Sequence, residues 1–230
     1  MKIAIHQPQF MPWLGYFHKM ANVDLFIFLN DVQFKKNEWQ NRNRIRSSLG
    51  IQWLTVPTTY KFPQKICEVE ADFSQPWQKK HIHSLEACYG KSPYYKKYIH
   101  LFAEYYCTLC SKIDRINIDS VRLLCGIMGI KTEYIISSNY KFMGESTERL
   151  VNICKHFKAD TYLAGQGSRD YLDISLFNKA GIKVEFQEFK CPVYAQHWAK
   201  SSNDFIPNLS AIDLVFNCGD KSYEILTRKY

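Results

Sequence analysis

His6 closes a short apolar run, Ile3 to Ile5, and is followed by Gln7-Pro8 and then by Trp13-Leu14-Gly15-Tyr16. An imidazole ordinarily titrates at about pH 6.5, so at that position it can take up a proton at neutral pH. A second apolar run, Leu25 to Leu29, ends as abruptly in Asn30-Asp31, with Gln33 and Lys36 close behind. Two buried strands that each release polar side chains at their carboxyl ends predict an open α/β sheet with its ligand crevice on that rim. The spacing predicts that His6, Asp31, Gln33 and Arg42 converge on one pocket. His6 suits a general base or a core histidine bonded to backbone. Asp31 suits a partner that orients His6, a site for a substrate amine, or a cap on the turn.

Two further loops carry chemistry-bearing side chains. Gln40-Asn41-Arg42-Asn43-Arg44 packs amides and guanidinium forks densely beside Trp39. Such groups match phosphate oxygens and sugar or base edges, and such a run also suits a solvated polar loop. Gly165-Gln166-Gly167-Ser168 follows an apolar run and precedes a helical pattern, which allows a ligand close to the backbone or a tight turn. It has neither a dinucleotide fingerprint nor a Walker lysine, so no nucleotide cofactor is expected there. Gly144-Glu145-Ser146-Thr147-Glu148-Arg149 reads as a helix start with Ser146 as N-cap, where backbone N–H groups could meet an anion but capping chemistry suffices.

These segments carry a resemblance. His6-Gln7-Pro8 with Phe10, Pro12-Trp13-Leu14-Gly15-Tyr16-Phe17, Asp31-Val32-Gln33-Phe34 with Lys36, and Gln40-Asn41-Arg42-Asn43-Arg44-Ile45 resemble the WbqC-like family. The likeness continues at Leu54-Thr55-Val56-Pro57, Ser146 to Leu150, Tyr162 to Gly167 and Leu209 to Asn217, and so spans the chain. One departure is that Cys191-Pro192-Val193-Tyr194-Ala195-Gln196 stands where relatives often carry His-Pro-x-Tyr-x-Gln. Cys191 is therefore given no catalytic role, while Tyr194, Gln196 and Asn217 are read as pocket or buried hydrogen-bonding residues. The family sits among bacterial surface-polysaccharide genes. The resemblance thus implies acyl or aminoacyl transfer from a carrier-protein thioester to the amine of a nucleotide-linked amino sugar. On this reading His6 and Asp31 are catalytic. Gln7, Trp13, Tyr16, Gln33, Lys36, Asn41, Arg42, Asn43, Gln166, Ser168, Tyr194 and Gln196 bind substrate. A fainter likeness is to the adenylyl-transferring HIGH superfamily, whose second histidine is missing because Gly15-Tyr16 stands there. A non-catalytic carbohydrate- or carrier-binding protein is the third reading.

Composition bounds these readings. The 230 residues are 46% hydrophobic and 23% charged, which argues for a folded core over disorder. The net charge of +8 favours anionic partners such as a nucleotide-linked sugar or an acidic carrier protein. No nucleic-acid motif accompanies it. No stretch reaches the ~20 apolar residues of a membrane span, and the chain opens on a strand, so a cytoplasmic location is expected. The eight cysteines then read as thiols. Cys107 and Cys110 fall within an apparent helix from Tyr98 to Ile113 and read as buried packing residues, with too few partners for a metal.

The elements that must position these groups follow from periodicity. Apolar residues recur at helical spacing from about 77 to 128, predicting an inserted helical lobe in one α/β domain spanning 1–230. A helix is predicted over Gly15 to Asn22, an ordered loop over 35–48, and a strand at Leu54 to Pro57. The later alternation of strands (Thr132 to Ser137, Thr161 to Gly165, Val184 to Phe189) with helices argues for a mainly parallel, Rossmann-like sheet.

Overall fold

The computed structural model describes residues 1–228. The chain opens with strand β1 (Lys2–His6), helix α1 (Leu14–Ala21) and strand β2 (Leu25–Phe28). An excursion follows through a hairpin, β3 (Arg42–Ser47) and β4 (Gly50–Thr55), and a short ribbon, β5 (Thr58–Thr59) and β6 (Glu70–Ala71). Helices α2 (Trp77–Tyr89), α3 (Tyr95–Cys107) and α4 (Ile113–Met128) come next. The α/β alternation then resumes with β7 (Glu133–Ile136), α5 (Ser146–His156), β8 (Thr161–Ala164), α6 (Ile174–Lys179) and β9 (Lys183–Phe186). Two helices, α7 (Ala211–Cys218) and α8 (Ser222–Thr227), close the described chain.

Five strands form one all-parallel sheet in the order β7-β2-β1-β8-β9. This is the mainly parallel, Rossmann-like α/β sheet expected from the sequence. The order reverses beside β1: the chain steps outward through β2 and β7, returns to the other flank at β8, and continues to β9. Ligands of open α/β sheets bind outside the carboxyl ends of the strands at such a reversal.

Both faces of the sheet are covered, so its strands are apolar on both sides. Ala4, Phe26 and Phe28 face a core shared with α1, α2 to α4 and α7, whereas Ile3, Ile5, Leu25 and Ile27 face α5 and α6. His6 lies two residues beyond Ala4 and therefore leaves the sheet on the α1 side.

Three local expectations are corrected. Residues 42–47 are a strand of the hairpin instead of part of a loop, because Asn43 and Ile45 alternate inward while Arg42 and Arg44 point outward. Helix α3 stops at Cys107, where Thr108 turns its hydroxyl onto the Glu104 and Tyr105 carbonyls. Cys107 and Cys110 are consequently both exposed, not buried on one helix face. Ser146 begins α5 instead of capping it; the N-cap position is Glu145, which makes no side-chain capping bond.

Candidate active-site crevice

The ends of β1 and β8 flank a crevice of about 300 Å³. His6 leaves the end of β1, and Gly165-Gln166-Gly167 turns away from the end of β8, so the two loops face each other across the reversal of strand order. Helix α1 supplies Gly15, Tyr16 and Lys19 to the wall, with Trp13 at its N-cap. Gln187 and Phe189, just past β9, complete it.

Neighbouring groups fix the orientation of His6. Its Nδ1 is 3.0 Å from the Gln7 carbonyl, and a carbonyl only accepts, so Nδ1 carries the hydrogen. The lone pair is thereby left on Nε2. The Tyr16 ring packs edge-on against the imidazole at 4.7 Å, and the Tyr16 hydroxyl donates to the same carbonyl at 3.2 Å. Burial, and then the nearby Lys19 charge, pull the His6 pKa down to about 3. The ring is therefore neutral throughout the physiological range, as an acceptor that resists becoming imidazolium.

Lys19 was not singled out by the sequence reading. It is 4% exposed, and burial lowers its pKa to about 8. Its Nζ lies 3.0 Å from the point where a side chain at residue 165 would begin, so Gly165 is what lets the ammonium approach that loop. Gly15 serves Trp13 in the same way, because a Cβ there would meet the Trp13 ring at 2.2 Å. The available signal was the spacing of Gly15, Tyr16 and Lys19, which share one helix face at i, i+3 and i+4 steps. Gln187 was also passed over. It donates to the Gly15 carbonyl at 2.7 Å and contacts His18 Nδ1 at 3.1 Å, locking α1 to the end of β9.

Of the residues nominated from sequence, His6, Trp13, Tyr16 and Gln166 meet in this crevice. Asp31, Gln33 and Arg42 do not join them, which corrects the expected convergence. The Asp31 carboxylate pairs with Arg149 and accepts from the Ser137 hydroxyl. Gln33 is spent on the Phe34 and Gln64 carbonyls, each at 3.0 Å. Arg42 stacks its guanidinium 4.3 Å above the Trp53 ring on the hairpin. Lys36 is exposed.

The remaining nominees hold the frame together. Gln7 accepts from the Gln40 side chain at 2.7 Å, Asn41 donates to the Val56 carbonyl and Asn43 to the Phe10 carbonyl. Ser168 donates to the Gly165 carbonyl at 2.6 Å, which closes the β8 turn. Tyr194 and Gln196 donate to Asp213 at 2.8 and 2.9 Å, where Tyr89 adds a third bond at 2.9 Å. Asp213 is fully buried, and that burial raises its pKa to about 6 despite the three donors. Asn217 accepts from the His197 N–H and donates to the Asp213 carbonyl.

A larger cavity of about 800 Å³ adjoins the crevice, shares Gln166 and Phe189 with it, and adds His18, Asn22 and Lys190. Among the described residues no group of His, Cys, Asp and Glu is arranged to hold a metal ion, and no helix is long and apolar enough to cross a membrane.

Fold and crevice together define an open α/β protein that presents a neutral imidazole and a buried amine at the switch point of its sheet. The WbqC-like protein family matches residues 7–225, and the chain belongs to that family. The uncharacterized protein Rv1507c of Mycobacterium tuberculosis is 34% identical over 229 residues, covering 98% of this chain and 97% of its own. No solved structure matches the chain.

Proposed function

We propose that the protein is a cytoplasmic transferase of surface-polysaccharide precursor synthesis, moving an acyl or aminoacyl group from a carrier-protein thioester to the amine of a nucleotide-linked amino sugar. The observation that carries this reading is that His6 lines a crevice at the strand reversal with its Nδ1–H held by the Gln7 carbonyl, which leaves the lone pair on Nε2. The sugar amine donates a hydrogen bond to Nε2, which holds its own lone pair toward the thioester carbonyl. As the C–N bond forms, the nitrogen becomes an ammonium far more acidic than the starting amine and passes its proton to His6. The C–S bond then breaks and the departing thiolate takes that proton. The Gln166 amide lines the same space and can donate to the developing oxyanion. Family membership and the basic net charge of +8 support an anionic, carrier-linked chemistry.

The test is transfer of a radiolabelled acyl group from an acyl carrier protein to a panel of nucleotide-linked amino sugars. His6→Ala should lower turnover by about 10²-fold, the low end for a positioned base because the His6 pKa lies well below the working pH, while substrate still binds. Normal turnover in that variant would return His6 to a structural role. Binding of the sugar without any turnover by the wild type would favour the carbohydrate- or carrier-binding reading.

A second reading, nucleotidyl transfer, is favoured by a histidine and a lysine standing together at the end of the first strand of a parallel sheet. Release of pyrophosphate from a nucleoside triphosphate, with no acyl transfer, would select it.

A further inference from the structure

Lys19 is a buried cation without a counter-ion. Its side chain reaches the crevice from α1 and is 4% exposed. Among the described residues no carboxylate or carbonyl accepts from its ammonium, and burial is the only cause acting on its pKa of about 8. The groups facing it are the neutral His6 on β1, the Tyr16 phenol on α1 and the Gly165-Gln166-Gly167 backbone after β8. No Asp or Glu lines this space. Removing an ammonium from water is costly unless something negative takes the place of the lost solvent. Asp31 is paired with Arg149, and Glu185 with Lys2 and Lys183, while Glu188, between Gln187 and Phe189, faces the adjoining larger cavity and does not line this crevice. An anionic ligand entering the crevice would supply the missing charge.

We propose that Lys19 is the anion anchor of the crevice and that it binds a phosphate-class oxyanion of the substrate. Lys19 supplies the charge. The Gln166 amide can satisfy a further oxygen, and Gly165 keeps the β8 turn free of a side chain that would displace the ammonium. Trp13 and Phe189, packed edge-to-face at 5.6 Å, form an apolar wall for the group that the phosphate carries. An oxyanion there also offsets the repulsion that Lys19 exerts on His6, so binding the substrate would make His6 a better proton acceptor. The assignment rests on the transferase reading only for the source of the oxyanion, namely the diphosphate of a nucleotide-linked sugar.

The experiment is calorimetric titration of the full chain at pH 8 with methyl phosphate, UDP-glucose and 4′-phosphopantetheine, in buffers of different ionisation enthalpy. None of these probes takes up a proton of its own at that pH, whereas Lys19 near its midpoint must take one up when an anion settles beside it. Wild type should bind at least one probe with net proton uptake. Lys19→Met should weaken that binding about tenfold or more and abolish the uptake. Should Lys19→Met fail to fold, Gly165→Ala, which pushes the ammonium aside, should weaken binding in the same direction. Failure of all three probes to bind wild type would overturn the anchor, as would unchanged affinity and proton uptake in the folded variant. Tightest binding of UDP-glucose supports both the anchor and the nucleotide-sugar reading. Lys19-dependent binding of 4′-phosphopantetheine alone supports the anchor and removes the nucleotide sugar from this crevice in favour of the carrier arm.

Discussion

Asp31 is ion-paired with Arg149, and its carboxylate does not line the crevice that holds His6. Asp31 extends from the end of β2 and Arg149 from the first turn of α5; their side chains are 14% and 18% exposed. The Ser137 hydroxyl donates to the same carboxylate. Removing one member strands the other in a poorly hydrated place. Arg149→Met should therefore destabilise the protein by about 3 kcal/mol in denaturant unfolding, the lower end of the range for broken buried pairs. Asp31→Asn should leave the His6 titration unmoved by NMR, because burial and the Lys19 charge, not Asp31, set the His6 pKa. A shifted His6 resonance in that variant would reinstate contact between the two.

The His6 pKa changes the expected pH profile. An unperturbed imidazole acting as base would give a rate rising through about pH 6.5. With its pKa at about 3, His6 should stay neutral from pH 5 to 8, and the Nδ1–H tautomer should persist in its ¹⁵N spectrum. Any ionisation limb in the rate near pH 8 should belong to Lys19 and disappear in Lys19→Met.

His81 should make the protein acid-sensitive. Its Nε2–H donates to the Thr55 carbonyl and its Nδ1 accepts from the Tyr106 hydroxyl, both at 3.1 Å, so the neutral ring is fully satisfied. Burial lowers its pKa to about 4. The unfolded chain then binds more protons than the folded one between about pH 6.5 and 4, and stability falls as pH drops through that window. The loss from this group is about 3 kcal/mol. Asp213 acts in the opposite sense: its raised pKa of about 6 gives stability that is present at low pH and lost as pH rises through 6. His81→Gln should be less stable at pH 7.5 yet show a shallower fall toward pH 4 in thermal unfolding.

Tyr194 and Gln196 should report on stability and not on ligand. Each donates to the buried Asp213 carboxylate, which ties the segment after β9 to α7 and, through Tyr89, to α2. Tyr194→Phe should cost about 1–3 kcal/mol, the penalty for leaving a buried acceptor short of a donor. Probe affinity in the crevice should not change.

Sequence period carried the sheet well, because β1 and β2 are short apolar runs that end at His6 and Asn30. It carried the three helices of 77–128 because their buried residues keep helical spacing. It missed β3 because the inward position next to Ile45 is Asn43, whose amide is satisfied by the Phe10 carbonyl and whose burial no hydropathy pattern announces. The crevice was half legible: His6, Trp13, Tyr16 and Gln166 came from strand ends and turns. Lys19 did not, because a lysine in an amphipathic helix ordinarily faces water. Arg42 and Asn41 were read as ligand-binding for their chemistry; Asn41 donates to the Val56 carbonyl, whereas Arg42 lies over the Trp53 ring.

Gly15 offers a direct test of the crevice wall. Gly15 is the second residue of α1, where alanine's advantage over glycine is at most that of a helix interior, about 1 kcal/mol. At residue 15 the added methyl would strike the Trp13 ring at 2.2 Å, so the ring must leave the wall or the helix must shift. Overpacking of this kind costs about 1–3 kcal/mol, which outweighs the helical gain. Gly15→Ala should therefore lower the melting temperature and weaken probe binding together. In a Trp13→Ala background the obstacle is gone, and the same substitution should instead stabilise by about 0.5–1 kcal/mol. A change of sign between the two backgrounds ties Gly15 to Trp13. Equal effects in both would mean that Gly15 is required for some reason other than the ring above it.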